Sequence, residues 1–273
     1  MLAECEGWIA GTAPITAEMI ALAPNLKIIA RYGVGFESID IDAANSHKVI
    51  VTNTPGANSL AVAELAMALI FASQRGIVKS ANQTKINDWS VIRGRQIQGS
   101  IVGIIGFGNI GRLLAAKLKA LGCEIWIHDP YVNKDEILEA GYLNTDLIEI
   151  TRFANIVSLN SPGDSKIIDR NWIENAKESQ VIINSARSDL IDESALAHGL
   201  RSGKISKYAA DTVSGEGSGQ KSELLAPEFT DNVIITSHIG AQTVEAIDAM
   251  GKMASENVIA VLNGKLPLNP VRQ

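Results

Sequence analysis

The sequence lacks several features that mark whole classes of protein. Its 273 residues include two cysteines, Cys5 and Cys123, at a spacing typical of neither a metal site nor a redox motif, so a disulfide-rich secreted fold is not expected. No apolar run approaches the roughly 18 residues that a membrane-spanning helix needs. The first cation is Lys27, so the N-terminus lacks the basic segment of a signal peptide. We therefore expect a cytoplasmic protein that spans no membrane.

A basic surface is also missing. The chain has 24 Lys and Arg residues against 30 Asp and Glu residues, which gives a net charge of −6. Because binding to nucleic acid phosphates needs a positively charged surface, we expect no nucleic acid partner. The remaining composition, 46% hydrophobic and 20% charged, is typical of a globular chain with apolar surface for about two domains.

A glycine-rich turn between a strand and a helix is the most informative stretch. The apolar run 101–105 predicts a buried strand, and it leads directly into Gly106, Gly108 and Gly111 at the spacing G-x-G-x-x-G. In dinucleotide-binding folds these glycines permit a tight turn, a close approach of backbone to a pyrophosphate, and close packing of helix on strand. The free N–H groups at the start of the helix then face the phosphates. The sequence therefore predicts a dinucleotide site.

An acidic residue indicates which dinucleotide binds. The second predicted strand, residues 124–128, ends at Asp129, where such a fold places the carboxylate that binds the adenosine ribose hydroxyls. Asp129 would repel the 2′-phosphate of NADP, and residues 130–133 offer no cation to bind one. We therefore predict that the cofactor is NAD.

Alternating strands and helices predict an α/β protein with a doubly wound parallel sheet. Six strands are expected in it, at 101–105, 124–128, 156–159, 181–184, 208–211 and 233–236. Before it, three short strands are expected at 7–10, 26–30 and 49–52, so this portion is one β-α-β unit short of a usual open sheet. Either the sheet is completed elsewhere or part of it is missing. The turn at 53–59 predicts a hinge between the two parts.

Polar residues follow three successive strands of the predicted sheet. Arg187 follows the fourth strand, Asp211 ends the fifth with Glu216 five residues further on, and His238 follows the sixth. Ligands bind beyond the carboxyl ends of such strands. An arginine fork pairs bidentately with a carboxylate, and an imidazole beside a carboxylate can exchange a proton with a hydroxyl. Each residue alone is more typical of an ordinary surface, but their joint placement favours hydride transfer on a hydroxy acid.

The chain resembles the D-isomer-specific 2-hydroxyacid dehydrogenases, in particular their phosphoglycerate-dehydrogenase-like branch. The resemblance covers nearly the whole chain, through RYGVG at 31–35, NTPGANS at 53–59, the segment around Trp89, GIIGFGNIG at 103–111, NSAR at 184–187, Asp211, SHIG at 237–240 and Asn269-Pro270. It implies a Rossmann NAD-binding domain at 54–244. It also implies a smaller flavodoxin-like α/β substrate domain at 1–53 and 245–273, truncated because the family's usual N-terminal β-α-β segment is lacking.

The resemblance also implies roles for individual residues. Arg187 would bind the substrate carboxylate and carbonyl, His238 would donate and accept the proton, and Glu216 would be the partner of His238. The backbone at Val34 and Gly35 would hold the substrate carboxylate. The cofactor would contact Gly106, Gly108, Asn109, Ile110, Gly111, Asp129, Ala186 and Asp211, with Asp211 at the nicotinamide carboxamide. A homodimer built around the cofactor domain and the helix after the hinge is also implied.

Two functions of different classes stay open. The first is an NAD-dependent oxidoreductase that acts on the CH–OH group of a small D-2-hydroxy acid, either 3-phosphoglycerate or a glycerate- or hydroxypyruvate-like compound. Lys27 and Arg31 are the only cations in the first 47 residues, so support for a phosphorylated substrate is thin. The second is a catalytically weak or inactive NAD-binding dimerising module, or a truncated gene product, which the lacking N-terminal segment suggests.

Overall fold

The computed structural model describes residues 2–163, 165–216, 218–219 and 221–271. They form two compact units, one made of the residues up to Ala61 and from Ala241 onward, the other of Val62–Gly240. The sequence-based boundaries were at 53/54 and 244/245, and the assignment of the smaller unit to the substrate stays a prediction. No single helix of the described residues has the length and hydropathy of a membrane span, and two helices, Ser59–Arg75 and Ile77–Lys85, meet that test only as a pair bent by 64°.

The smaller unit is built on three parallel strands. In chain order its elements are β1 (Gly7–Ala10), α1 (Ala17–Ala21), β2 (Ile28–Arg31), α2 (Ile41–Ser46) and β3 (Ile50–Thr52). The strand order is β1-β2-β3, and both neighbouring pairs are parallel. The middle strand is buried along its whole length, which explains why it is continuously apolar until its last residue.

The larger unit contains a parallel sheet of seven strands. Its elements are α3 (Ser59–Arg75), α4 (Ile77–Lys85), β4 (Ile101–Ile105), α5 (Asn109–Ala120), β5 (Glu124–His128), α6 (Lys134–Glu139), β6 (Leu143–Asn144), α7 (Leu147–Phe153), β7 (Ile156–Leu159), α8 (Arg170–Asn175), β8 (Gln180–Asn184), α9 (Glu193–Ser202), β9 (Ile205–Ala210) and β10 (Val233–Ile235). The strand order is β10-β9-β8-β7-β4-β5-β6. The order reverses between β4 and β7, and ligands of doubly wound sheets bind at the carboxyl ends of the strands beside such a switch point.

The sheet of the larger unit is covered by apolar side chains on both faces. Along β8, Val181 and Ile183 join one buried cluster, whereas Ile182 joins the other. Successive residues of a strand point to opposite faces, so a sheet that is buried on both sides needs apolar residues at consecutive positions. This double burial confirms the predicted α/β fold with a doubly wound parallel sheet.

Two elements of the larger unit lie outside the predictions. The strand β6 makes this a seven-stranded sheet, not a six-stranded one, but it has only two residues and its Leu143 is 45% exposed. The helix α4 contains no buried residue. Neither element therefore carries the apolar periodicity on which a sequence-based assignment depends.

The last helix belongs to the smaller unit. It is α10 (Val244–Leu262), whose N-cap Thr243 accepts a hydrogen bond from the backbone of Ala246. Ala254 of this helix packs with Ile28 and Ala30 of the middle strand. The chain then returns to the sheet, where Pro270 bridges to Thr52.

Candidate functional site

The glycine turn after β4 leaves room for a ligand at one position and none at the other two. Gly106 has φ +95°, and a Cβ there would lie 2.7 Å from the backbone of Asn160. A Cβ at Gly111 would overlap the Gly106 carbonyl oxygen, whereas a Cβ at Gly108 would meet nothing within 4 Å. Gly106 and Gly111 are therefore required by the fold, and Gly108 leaves open space at the start of α5, where Asn109 and Ile110 form the first turn.

Asp129 lies next to this turn, as the sequence predicts for a ribose-binding acid. Its Oδ2 accepts a hydrogen bond of 2.7 Å from the backbone N–H of Phe107, inside the glycine motif. Its Oδ1 accepts one of 2.8 Å from the backbone of Tyr131. These bonds fix the carboxylate at the carboxyl end of β5 beside the start of α5.

Several buried polar atoms beyond the carboxyl ends of three neighbouring strands lack a partner among the described residues. They are Oδ1 of Asn160 and the hydroxyl oxygens of Ser161, Ser185 and Thr212, which follow β7, β8 and β9. A buried polar atom without a hydrogen bond costs about 1–3 kcal/mol, so such a group in a native fold needs an explanation. Their position at the carboxyl ends of the central strands fits a polar ligand bound along this edge, as a dinucleotide would be.

Arg187 is held by a turn that Asn184 organises. The Asn184 side chain is fully buried. Its Oδ1 accepts a hydrogen bond from the backbone of Ala186 at 3.0 Å, and its Nδ2 donates to the carbonyl oxygen of Arg187 at 2.8 Å. Nδ2 also approaches the hydroxyl of Tyr208 at 3.5 Å, and burial raises the pKa of this phenol. The turn places Ala186 and the half-buried Arg187 directly beyond the end of β8.

The carboxylate of Asp211 holds the turn that carries His238. It is 3% exposed, and its Oδ1 accepts hydrogen bonds from Thr236 Oγ1 at 2.5 Å and from the Ile239 backbone at 2.8 Å. Its Oδ2 accepts one from the Gly240 backbone at 2.6 Å. Between these donors His238 adopts φ +57°, a left-handed conformation that is uncommon for a residue other than glycine. The hydrogen bonds to Asp211 therefore stabilise the unfavourable backbone conformation of His238.

His238 and Glu216 are in contact. His238 Nδ1 lies 2.9 Å from Glu216 Oε1, and the two side chains are 51% and 43% exposed. A carboxylate can only accept a hydrogen bond, so Nδ1 carries the proton of this contact and Nε2 is left for another partner. Because Arg187, Asp211 and His238 follow the adjacent parallel strands β8, β9 and β10, they share one edge of the sheet.

Val34 and Gly35 lie in the other unit, in the segment that follows β2. The Val34 carbonyl oxygen accepts a hydrogen bond from Asn53 Nδ2 at 2.8 Å. The neighbouring Thr54 is fully buried, and its hydroxyl accepts a bond from the Gly33 backbone at 3.1 Å. These contacts shape the loop, and the binding role of Val34 and Gly35 stays a prediction.

Comparisons with known proteins show which family the chain resembles. The family model for the D-isomer specific 2-hydroxyacid dehydrogenase NAD binding domain matches residues 67–240. D-3-phosphoglycerate dehydrogenase of Methanocaldococcus jannaschii is 38% identical over 263 residues, which are 94% of this chain and 49% of that protein. The chain thus spans about half the length of the curated phosphoglycerate dehydrogenases that it matches.

Shorter relatives and solved structures match over more of their length. A Staphylococcus haemolyticus protein named as a 2-hydroxyacid dehydrogenase is 34% identical over 93% of this chain and 81% of its own. The crystal structure of D-lactate dehydrogenase from Aquifex aeolicus, complexed with NAD and lactic acid, has a TM-score of 0.88 at 26% identity. That match covers 99% of this chain and 87% of the other.

Proposed function

Since the chain belongs to the D-isomer-specific 2-hydroxyacid dehydrogenases and contains their NAD binding domain, we propose that it transfers a hydride between NAD and a small D-2-hydroxy acid. The observation that carries this proposal is the pair of His238 and Glu216, joined at 2.9 Å on the sheet edge that also carries Arg187. When bound, NAD supplies the nicotinamide that accepts or returns the hydride.

In this proposal His238 is the group that exchanges the proton. The contact between Nδ1 and Glu216 leaves Nε2 to take the proton of the substrate hydroxyl during oxidation and to return it to the 2-oxo oxygen during reduction. The carboxylate of Glu216 orients the ring. Asp211 acts on the same residue through the backbone, because it holds the turn on which His238 lies.

Arg187 is the proposed anchor for the substrate. A guanidinium binds a carboxylate through two parallel hydrogen bonds and so orients the adjacent carbon. The turn organised by Asn184 fixes where this side chain leaves the sheet. For the smaller unit, we propose that the backbone of Val34 and Gly35 binds a substrate carboxylate, as the family resemblance implies.

The two cations in the first 47 residues, Lys27 and Arg31, offer little support for a phosphorylated substrate. Lys27 pairs with Glu6 at 2.7 Å. Arg31 is 9% exposed, and its guanidinium donates to the carbonyl oxygens of Ala10 and Tyr32. Both side chains are thus used within the fold. We therefore propose glycerate- and hydroxypyruvate-like acids as substrates in preference to 3-phosphoglycerate.

The deciding experiment is NADH oxidation by this chain with a panel of 2-oxo acids. The panel contains hydroxypyruvate, its 3-phospho form, glyoxylate and pyruvate, and Arg187→Ala and His238→Ala are the matched variants. Turnover that both variants lose would support the proposal and identify the acid. If the chain binds NADH but oxidises it with none of these acids, the proposal is contradicted.

That second result would favour the alternative of an NAD-binding, dimerising module. The observation in its favour is that the described residues of the smaller unit form a sheet of three strands, fewer than the roughly four to six of a typical sheet. We also propose that the chain forms a homodimer, because a segment of the larger unit exposes several large apolar side chains. These are Ile77, Val78, Ile86, Trp89 and Val91.

A further inference from the structure

The loop that carries Glu216 is tied at both ends to one carboxylate. Oε1 of Glu193 accepts a hydrogen bond of 3.0 Å from the backbone N–H of Ser214. Oε2 of the same side chain accepts one of 2.6 Å from the hydroxyl of Ser222. Glu216 lies between these two anchor points, so Glu193 closes the base of the loop that carries it.

Glu193 is itself held in a fixed position. It is the first residue of α9, where a negative charge is favoured by the helix dipole. The preceding residue, Asp192, is the N-cap, and the hydrogen bond from the Ala195 backbone lowers the pKa of its carboxyl group. Five residues separate Glu193 from Arg187, so the side chain that binds the Glu216 loop follows the Arg187 turn closely in the chain.

The second anchor is also connected to the core. The hydroxyl of Ser222 accepts a hydrogen bond from the backbone of Leu224 at 3.1 Å, and Leu224 is 2% exposed. Further along, Arg201 of α9 donates to Glu223 at 2.9 Å and to Glu228 at 2.7 Å. The end of the loop is therefore attached to α9 through Arg201, and Glu193 attaches the start of the loop to the same helix.

Glu216 depends on this support. Its backbone N–H donates to the Val213 carbonyl oxygen at 3.2 Å, while its side chain reaches out to His238 and is 43% exposed. An exposed carboxylate on a loop pairs with an imidazole only if the loop is ordered, since holding both groups in one geometry costs conformational entropy. From these contacts we infer that Glu193 is a positioning residue that keeps Glu216 within hydrogen-bond distance of His238 Nδ1. The inference rests on the proposed function.

Two substitutions at Glu193 distinguish the effect of its hydrogen bonds from the effect of its charge. Glu193→Ala removes both acceptors. Glu193→Gln keeps one oxygen for Ser214, and its amide can donate to the Ser222 hydroxyl. We expect Glu193→Ala to lower kcat about tenfold, with the KM for NADH changed less than about twofold, and Glu193→Gln to restore most of the rate. The matched control is Glu149→Ala, which removes a carboxylate from the first turn of α7 and should leave kcat unchanged.

A double-variant cycle tests whether Glu193 acts through Glu216. In a Glu216→Gln background, Glu193→Ala should lower kcat by less than about twofold further, because coupled residues are not additive. A full tenfold loss in that background would overturn the inference while leaving the dehydrogenase activity established.

Amide hydrogen exchange tests the same point without turnover. Glu193→Ala should speed exchange across residues 212–216 and leave 101–111 unchanged. If wild-type protein shows no turnover, faster exchange still supports the anchoring role and only the proposed function fails. Unchanged exchange at 212–216 would overturn the inference in either case.

Discussion

Asp211 and Gly240 are joined by a hydrogen bond of 2.6 Å from the Gly240 backbone to Asp211 Oδ2. The bond connects the end of β9 to the turn after β10 and leaves little space, since a Cβ on Gly240 would lie 2.9 Å from the same oxygen. His238 precedes Gly240 by two residues and has the left-handed backbone of this turn. The acid that the family resemblance assigns to the nicotinamide therefore also determines where the imidazole lies that we propose as the proton-exchanging group.

Asp211→Asn should therefore impair turnover through the turn. The amide nitrogen of asparagine cannot accept a hydrogen bond, so at least one of the three donors loses its partner. We expect a loss of about 2 kcal/mol in the free energy of unfolding and a fall in kcat of about tenfold, measured by denaturant titration and initial rates. The control is Asp231→Asn, which removes the ion pair between Lys79 and the 54% exposed side chain of Asp231 and should cost less than about 1 kcal/mol. Weakened NADH binding with kcat unchanged would instead assign Asp211 to the cofactor alone.

Alanine at Gly108 and alanine at Gly111 should affect different properties, NADH binding in the first case and stability in the second. Gly108→Ala adds a methyl group to open space, so the melting temperature should hold while NADH binding weakens about tenfold, or about 1.4 kcal/mol. Gly111→Ala forces the new methyl group onto the Gly106 carbonyl oxygen and should cost about 1–3 kcal/mol of stability. Thermal unfolding and titration of NADH fluorescence measure the two effects. Undiminished NADH affinity in Gly108→Ala would mean that no phosphate lies against this residue.

Local sequence patterns are enough to locate the candidate cofactor residues. Residues whose hydrogen bonds join parts of the chain that are far apart in sequence could not be located this way. Gly106, Gly108 and Asp129 lie within 24 residues of chain, so strand, turn and helix patterns were enough to place them. Glu193 could not be found this way, because its role comes from bonds to residues 214 and 222, which no local periodicity records. Asn184 was part of a recognised motif, but its hydrogen bonds across the turn required coordinates.

The two cysteines should differ in reactivity. Cys123 is 8% exposed, and burial raises the pKa of its thiol. The thiolate is the reactive form, so Cys123 should react much more slowly than the half-buried Cys5 with Ellman's reagent at pH 8. The raised pKa also means that this thiol contributes its full stability below the pKa of the unfolded chain and loses it as the pH rises through the folded value. In Cys5→Ser the remaining thiol should react only on unfolding; rapid reaction of the native variant would contradict the burial of Cys123.

The apolar segment around Trp89 gives the last prediction, which concerns assembly. Trp89 and Val91 are 75% and 96% exposed and follow α4, none of whose side chains is buried. Contiguous exposed apolar side chains of this kind mark interaction surfaces in proteins that are otherwise well packed. If two copies pair through this segment, a charge placed in its centre must be desolvated without a partner, which costs several kcal/mol.

We therefore expect the wild-type chain to elute as a dimer in size-exclusion chromatography with light scattering, and Val91→Asp to elute as a monomer with the same circular dichroism. Ile148→Asp, which changes a 59% exposed apolar residue on α7, is the matched control and should stay dimeric. A wild-type monomer, or a Val91→Asp dimer of undiminished affinity, would contradict pairing through this segment. Because the glycine turn and Asp129, which are proposed to bind the cofactor, follow β4 and β5, monomeric Val91→Asp should still bind NADH, and this separates the loss of assembly from a loss of fold.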